Sequence, residues 1–444
     1  MKSLNLTLII ISGSIMISRL IKYYPYSNWS LLIIFIFGFL LIFFSVLFFL
    51  KNELSKKILI SFISILITIY FINPFLYFVT ERKDIPTLRY KEAKKQNVFY
   101  DKRTRLDVVK DFKKQNQEVF PVIPPTGFYK RFKNKYKILP LGGISDVLTV
   151  HCNENGKWSI YKSDTYGFNN KKFFYSSKNK KKILIIGDSF AQGACVKQEN
   201  TLAGQLNKIN IEAKSLGMDG NGPIAALATI REYAKIIEPE YIIWVLHDND
   251  IGDLQRELEN VFLKNYLNPD FNQNLINKKT EINVLLKNVV SKEYIKNEGK
   301  IKNFLNKCFS LFYIRKLIGF NKLSFEKLDK EDRKKLYKDL KKVIYLMKNE
   351  SDKIDATLKI VYVPDILQFD SKEHNKKDST YPINIEEIKE IIKSSNMEWL
   401  NFYEIMLDSK NPLSFYPFKL KGHFTPQGYE ILAKEIEIFL QSRY

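Results

Sequence analysis

The sequence predicts an α/β domain built on a parallel β-sheet and preceded by a region of membrane-spanning helices. The first eighty of the 444 residues are dominated by Leu, Ile and Phe, whereas the remainder is charged and mixed. Within the remainder, short apolar runs typical of buried strands alternate with helical stretches. Because the chain is longer than one core usually holds, we expect three parts: an anchor (1–80), a β-rich lead-in (81–180) and the α/β domain (181–444).

The predicted anchor contains two uncharged or weakly polar runs, residues 30–50 and 58–79, each long enough to cross a hydrocarbon core of about 30 Å. A shorter run, residues 4–17, either spans the membrane or lies at its interface. The basic residues between the two long runs are Lys51, Lys56 and Lys57. Since basic loops stay in the cytoplasm, everything after about residue 80 is expected outside it. The alternative is a cytoplasmic domain tethered by the same helices.

The formal net charge of +22 comes mostly from lysines scattered along the chain, without a nucleic-acid-binding motif. This pattern favours a solvated basic surface and no nucleic-acid partner, with attraction to anionic lipids or an acidic polymer as the alternative. The three cysteines, Cys152, Cys195 and Cys308, form no C-x-x-C pair. They predict neither a disulfide framework nor a metal site, although one isolated disulfide is possible outside the cell.

Four strands are predicted in the α/β domain, over residues 183–186, 211–216, 241–246 and 358–363. About a hundred extra residues, 254–356, separate the last two, and one amphipathic helix lies within them. This insertion either packs locally or forms a lid over the strand ends. In the lead-in, residues 154–157 read as a hairpin turn between two short strands.

Candidate chemistry lies where these strands end. Ser189 follows the first strand in a Gly-Asp-Ser sequence, at the edge where open α/β sheets bind ligands. Glycines Gly220 and Gly222, after the second strand, can point backbone N–H groups at a ligand. Asn249, after the third strand, offers a neutral amide donor suited to a developing oxyanion. His423 precedes a terminal helix and is the type of base that activates a serine at neutral pH.

These four segments, in this order, resemble the SGNH (GDSL-like) hydrolase family, in which Ser, Gly, Asn and His come from four successive blocks. The resemblance covers residues 182–444 apart from the insertion. It implies a three-layer fold with Ser189 as nucleophile and His423 as base. It also implies an oxyanion hole made by the Ser189 N–H, Gly220 or Gly222, and Asn249, with no cofactor or metal. Residues 163–170 are similar to the lead-in of bacterial membrane-anchored members, which suggests the inner membrane.

One departure from the family concerns the acid that orients the histidine. The family commonly has an aspartate two or three residues before it, but this chain has Lys421 and Leu420 there. Three alternatives remain open: a backbone carbonyl orients His423, activity is lost, or an acid from elsewhere substitutes. The candidate acids are Asp365, Glu404 and Asp408.

The resulting expectation is a membrane-anchored serine esterase or acyl-transfer enzyme whose catalytic domain lies outside the cytoplasm. Its substrates would be ester groups, often acetyl in this family, on glycans of the cell envelope. One rival is an inactive envelope protein that keeps the fold and binds glycan only. Another is an esterase that acts on lipids, which the anchor and the basic surface would favour.

Overall fold

The computed structural model describes residues 2–22, 28–80, 85–132, 136–172, 174, 181–291, 304–305, 307–308, 310–317, 330–369 and 385–441. The chain forms two compact units. One consists of Met1–Glu81 and Phe304–Phe320, and the other of Arg82–Asn303 and Asn321–Tyr444. The lead-in and the α/β domain, separated in the prediction, therefore share one unit.

The first unit contains three long helices. They are α1 (Lys2–Lys22), α2 (Asn28–Phe49) and α3 (Asn52–Thr80). Among the described residues, one helical stretch, Asn52–Tyr77, is long and apolar enough to cross a membrane, with a mean hydropathy of 2.2. Lys2–Ser18 and Ile36–Phe49 are shorter apolar stretches. A short helix over Phe312–Leu317, from the predicted insertion, also belongs to this unit.

The lead-in is less β-rich than predicted, because it holds three helices beside a small sheet. Its elements are α4 (Ile85–Lys95), α5 (Arg105–Lys114), β1 (Val119–Pro121), α6 (Pro125–Phe132), β2 (Leu148–Val150) and β3 (Ile160–Lys162). Helices of 8 to 11 residues make only two or three turns, too few to show a clear hydrophobic period. The predicted hairpin is present, since β2 and β3 pair antiparallel.

The segment 163–170 fastens the lead-in to the main sheet. The buried Asp164 carboxylate accepts hydrogen bonds from the backbone N–H of Phe168 at 3.0 Å and from the Asn170 amide at 2.8 Å. Asn170 also exchanges two hydrogen bonds of 2.8 Å with the backbone of Ser215. Burial raises the pKa of Asp164 to about 6, and the hydrogen bonds oppose that rise.

The predicted parallel sheet is confirmed and has five strands. They are β4 (Lys182–Gly187), β5 (Glu212–Ser215), β6 (Tyr241–His247), β7 (Thr357–Val363) and β8 (Trp399–Asn401). Their spatial order is β5-β4-β6-β7-β8, and every neighbouring pair is parallel. Strand β4 is thus flanked by β5 and β6, and the loops that follow these three strands leave from one edge of the sheet. Only β8, a half-buried strand of three residues, was not anticipated.

Alternating side chains of the central strands enter two separate cores, which gives the sheet two covered faces. Leu184 and Ile186 of β4 join one core, and Ile183 and Ile185 join the other. Helices cover both faces. They are α7 (Ser189–Gln192), α8 (Leu202–Lys208), α9 (Pro223–Thr229), α10 (Lys235–Ile237), α11 (Asp250–Leu258), α12 (Val261–Asn265), α13 (Lys279–Val289), α14 (Lys330–Asp352), α15 (Ile385–Ser394), α16 (Phe402–Asp408) and α17 (Pro426–Gln441). The result is the predicted three-layer α/β arrangement.

The amphipathic helix of the predicted insertion, α14, is a core element. Its residues Leu340, Val343 and Met347 are buried in the same core as Leu358 and Ile360 of β7. Helix α14 therefore covers a sheet face rather than the strand ends. Residues 292–303 and 318–329 of the insertion lie outside the described residues.

Candidate active site

Ser189 stands at the end of the central strand β4. The φ of Gly187 is +135°, and a Cβ there would lie 2.5 Å from the Val245 carbonyl oxygen, so only glycine suits this bend. Asp188 then caps helix α7 by accepting a 2.8 Å hydrogen bond from the Phe190 N–H. The chain is thereby turned sharply, and Ser189 becomes the first residue of the helix, with part of its side chain exposed.

His423 reaches Ser189 although the two are 234 residues apart in the chain: its Nε2 lies 2.8 Å from the Ser189 Oγ. The loop that carries it is fixed by the next helix, since the Thr425 hydroxyl accepts from the Gly428 N–H at 3.1 Å and Pro426 begins α17. The imidazole also packs on the Phe190 ring, with centroids 5.1 Å apart. The structure thus brings together the serine and histidine that the sequence singled out.

The carboxylate that contacts His423 belongs to Glu154, in the hairpin turn of the lead-in. Its Oε2 lies 3.2 Å from the His423 Nδ1 and accepts a 2.7 Å hydrogen bond from the His423 backbone N–H. Glu154 is buried, with 7% of its surface exposed. Serine, histidine and glutamate therefore form a continuous row, joined by a hydrogen bond between Ser189 and the ring and by an ion-pair contact between the ring and Glu154, which is the arrangement of a catalytic triad.

The three acids suggested from the sequence do not take this place. Asp365 lies beyond the end of β7, 3.5 Å from the ammonium of Lys421 and 3.9 Å from the His247 ring. Glu404 and Asp408 are exposed side chains of α16. These candidates lie near the histidine or the later strands, whereas the carboxylate beside His423 comes from a segment that precedes the sheet.

Glu154 and His423 each stabilise the charged form of the other. Burial alone would raise the pKa of Glu154, but the charge and hydrogen bonds of His423, with the charge of Arg89, lower it to about 2. Burial opposes protonation of His423, but Glu154, with smaller contributions from Asp219 and Asp188, raises the pKa of the ring to about 9. An ionised Glu154 thus favours the imidazolium form of His423.

A disulfide between Cys152 and Cys195 ties the Glu154 turn to the loop that follows α7. The Asn155 amide adds a 3.2 Å hydrogen bond to the Cys195 carbonyl. The sequence analysis allowed for one isolated disulfide. The positions of its cysteines indicate which segments meet, because Cys195 lies six residues after Ser189 and Cys152 lies two before Glu154. Glu154, Cys195 and His423 cluster closely, but a disulfide sulfur has no thiolate to offer a metal.

The two candidate glycines differ in whether their backbone N–H groups already donate a hydrogen bond. The Gly222 N–H donates to the Glu257 carboxylate at 2.7 Å and is therefore occupied. Among the described residues, the Gly220 N–H has no acceptor. Gly220 has a φ of +72°, and a Cβ there would lie 2.6 Å from the Thr126 hydroxyl oxygen. Gly220 is thus the glycine whose N–H is left for a ligand.

A second ion pair, between the buried His151 and the partly exposed Asp219, fixes the Gly220 turn. The His151 Nε2 lies 2.9 Å from the Asp219 carboxylate, and the Asp219 N–H donates to the Gln192 side chain at 2.9 Å. Burial opposes ionisation of Asp219, but the charge and hydrogen bond of His151 lower its pKa to about 2. This pair, which the sequence did not reveal, links the glycine turn to α7 and the lead-in.

Asn249 follows β6 and stands just before helix α11, on the loop beside that of Ser189. Its Oδ1 is buried and has no hydrogen-bond partner among the described residues. The two residues before it are structural: the His247 ring contacts the Val363 carbonyl at 2.9 Å, and Asp248 accepts a 2.8 Å hydrogen bond from the Asp365 N–H. They fix the β6 and β7 ends to each other.

No family model and no curated protein matches the chain. Among solved structures, it is similar to a GDSL-like lipase from Bacteroides thetaiotaomicron (12% identity, TM-score 0.32, 61% of this chain and 92% of that one). It is also similar to a lipase/acylhydrolase from Enterococcus faecalis (14%, 0.31, 59% and 97%). A third is a catalytic mutant of an acetylxylan esterase from Geobacillus stearothermophilus (12%, 0.32, 61% and 98%). At these TM-scores the similarity decides neither the activity nor the substrate of this chain.

Proposed function

We propose that the protein is a membrane-anchored serine esterase or acyl-transfer enzyme that uses Ser189, His423 and Glu154. The observation that carries the proposal is the row of three side chains, with 2.8 Å from the serine oxygen to the imidazole and 3.2 Å from the imidazole to the carboxylate. A serine hydroxyl becomes a nucleophile when a base accepts its proton, and that base works best when a third group orients it.

In the first half-reaction, the Ser189 Oγ attacks the carbonyl carbon of an ester while the His423 Nε2 takes the hydroxyl proton. Glu154 holds the ring through Nδ1 and stabilises the imidazolium that forms. The Ser189 and Gly220 N–H groups and the Asn249 amide donate to the oxyanion. The tetrahedral intermediate then releases the alcohol, which receives the proton from His423, and the acyl group remains on Ser189.

In the second half-reaction, water attacks the acyl-enzyme for hydrolysis, or a sugar hydroxyl attacks it for transfer. His423 again accepts the proton, and the carboxylic acid or the new ester leaves as the Ser189 oxygen is reprotonated. Because only neutral His423 can act as base and its pKa is about 9, activity should rise with pH through that value.

Replacing Ser189 with Ala tests this mechanism with 4-nitrophenyl acetate as substrate. We expect kcat to fall at least about 10³-fold, since nucleophile removal is among the costliest changes in such enzymes. Ser414→Ala is the control, because that exposed side chain bonds only the Asn411 carbonyl and should keep full activity. Undiminished turnover by Ser189→Ala would exclude the mechanism.

We further propose that the substrates are ester groups, such as O-acetyl, on glycans outside the cytoplasm. The apolar Asn52–Tyr77 helix supports an anchor, and the Cys152–Cys195 disulfide is typical of an oxidising compartment. Acetate release from acetylated xylo-oligosaccharide, compared with turnover of 4-nitrophenyl palmitate, separates this substrate class from lipids. Faster turnover of the palmitate would favour the lipid-acting alternative.

The geometry supports the catalytic proposal over the non-catalytic alternative. That alternative rested on Lys421, but Glu154 contacts the His423 ring and the Lys421 ammonium lies 3.5 Å from Asp365. A serine-directed fluorophosphonate should label the wild type and leave Ser189→Ala unlabelled. Glycan binding without any labelling of the wild type would restore the non-catalytic alternative.

A further inference from the structure

The lead-in helix α4 places a buried arginine against the acid of the site. The Arg89 Nη2 lies 2.8 Å from the Glu154 Oε1, and the two side chains are only 9% and 10% exposed. The same nitrogen donates a 2.6 Å hydrogen bond to the Lys421 carbonyl. Arg89 therefore contacts both the acid and the loop that carries the base.

The two oxygens of Glu154 are divided between its neighbours. Oε1 contacts Arg89, whereas Oε2 accepts the His423 backbone N–H at 2.7 Å and lies 3.2 Å from Nδ1. A carboxylate held by only one oxygen can rotate about its last bond, whereas one held at both oxygens has a fixed plane. With Oε1 engaged by the guanidinium, Oε2 stays directed at the imidazole.

Gly422 makes this close approach possible. A Cβ at Gly422 would lie 2.6 Å from the Arg89 Nη2 and 2.6 Å from the Glu154 Oε2, closer than side-chain carbons approach other atoms. Any other residue at this position would push the arginine or the glutamate away from the loop. The arginine, the glutamate and the glycine thus form one packed unit behind the histidine.

We propose that Arg89 is a positioning residue of the active site: it fixes the Glu154 carboxylate against His423 and anchors the histidine loop through the Lys421 carbonyl. The inference rests on the proposed esterase function. It makes helix α4, which lies outside the sheet and its covering helices, a functional part of the site.

A double-mutant cycle with Arg89→Met and Glu154→Gln tests the proposal on the full chain with 4-nitrophenyl acetate. If Arg89 acts through Glu154, Arg89→Met should lower kcat/KM by about 10- to 100-fold, by analogy with the partners that orient metal ligands. In the Glu154→Gln background the same change should cost less, because only the contact with the Lys421 carbonyl is then lost. Equal losses in both backgrounds would overturn the proposal, because Arg89 would then not act through Glu154.

Arg231→Met is the matched control, because Arg231 also forms a buried ion pair, with Glu350 at 3.1 Å, in another part of the domain. We expect it to lower the melting temperature without changing the pH dependence of kcat/KM. Arg89→Met should move the acidic limb of that profile to lower pH, because Glu154 is then no longer held against the His423 ring. An acidic limb that stays at the same pH contradicts a positioning role. So does a limb that moves to higher pH, which is the effect expected if only the positive charge of Arg89 mattered.

Gly422→Ala addresses the same question if Arg89→Met does not fold, since the added methyl displaces the arginine and the glutamate. It should shift the limb in the same direction. The His423 Nδ1–H of the wild type should give a far-downfield proton resonance that weakens in both variants, and its undiminished intensity in them would overturn the proposal without reference to activity. A Ser189→Ala protein that retains turnover would instead refute the esterase function itself.

Discussion

Glu154→Gln should change the pH dependence of activity directly, because it removes the carboxylate that contacts the His423 ring. The raised pKa of His423, about 9 against 6.5 for the free ring, corresponds to roughly 3 kcal/mol of imidazolium stabilisation before solvent screening reduces it. Because the ring is imidazolium in the transition state, losing this interaction should lower the limiting kcat/KM by up to about 10²-fold. Lost orientation of the ring adds to this, up to about 10⁴-fold in serine proteases.

The loss of kcat/KM in Glu154→Gln relative to the wild type should depend on pH. With a pKa of about 9, only about 1% of wild-type rings are neutral at pH 7, whereas about three quarters would be neutral at the ordinary value of 6.5. The variant therefore regains much of its loss at pH 7, and the difference is largest above pH 9. The measurement is kcat/KM for 4-nitrophenyl acetate from pH 5.5 to 10, with the rate of Ser189→Ala subtracted at each pH.

Glu404→Gln is the control for this experiment, because Glu404 is an exposed carboxylate of α16 that bonds Asn401. Glu404→Gln should change neither the pH of the acidic limb nor the limiting value of kcat/KM at high pH. The reasoning fails if the acidic limb of Glu154→Gln stays near pH 9, or if Glu404→Gln reproduces the shift.

Two further predictions concern the disulfide and the oxyanion donors. Replacing both Cys152 and Cys195, 43 residues apart, with Ser should lower the free energy of unfolding by about 4 kcal/mol from loop entropy and lower kcat/KM, since the Glu154 turn loses its tether. Urea unfolding compares this variant with Cys308→Ser, which removes a free thiol, and equal midpoints would contradict the prediction. Asn249→Ala should lower kcat by about 10²- to 10³-fold with KM little changed. Asn288→Ala, on an exposed helical position, is the control and should leave kcat unchanged. If Asn249→Ala changes only KM, Asn249 does not have the proposed oxyanion role.

The sequence was sufficient for features that local patterns encode. The four predicted strands were recognisable because parallel strands covered on both faces are short, uninterrupted apolar runs. Ser189 and His423 could be found because each adjoins a strand or helix end, where the carboxyl edge of a sheet collects ligand-binding residues. Strand β8 was missed because three half-buried residues carry no such pattern.

What the sequence could not give are contacts between distant segments. Glu154 lies 269 residues before His423, in a polar turn that differs little from any hairpin turn, so nothing local marks it as the acid. The choice between Gly220 and Gly222 was also open, because the group that occupies the Gly222 N–H, Glu257, comes from the segment that was read as an insertion. Both cases depend on tertiary packing rather than on residue type or spacing.

The order of the three groups along the chain has a consequence for biosynthesis. The acid is made first, the nucleophile next, and the base 234 residues after the nucleophile. A chain that is still emerging can fold its lead-in and close its disulfide before it has a base to activate the serine. In the proposed mechanism, reactivity toward esters therefore begins only after the His423 loop has been made and α17 has docked.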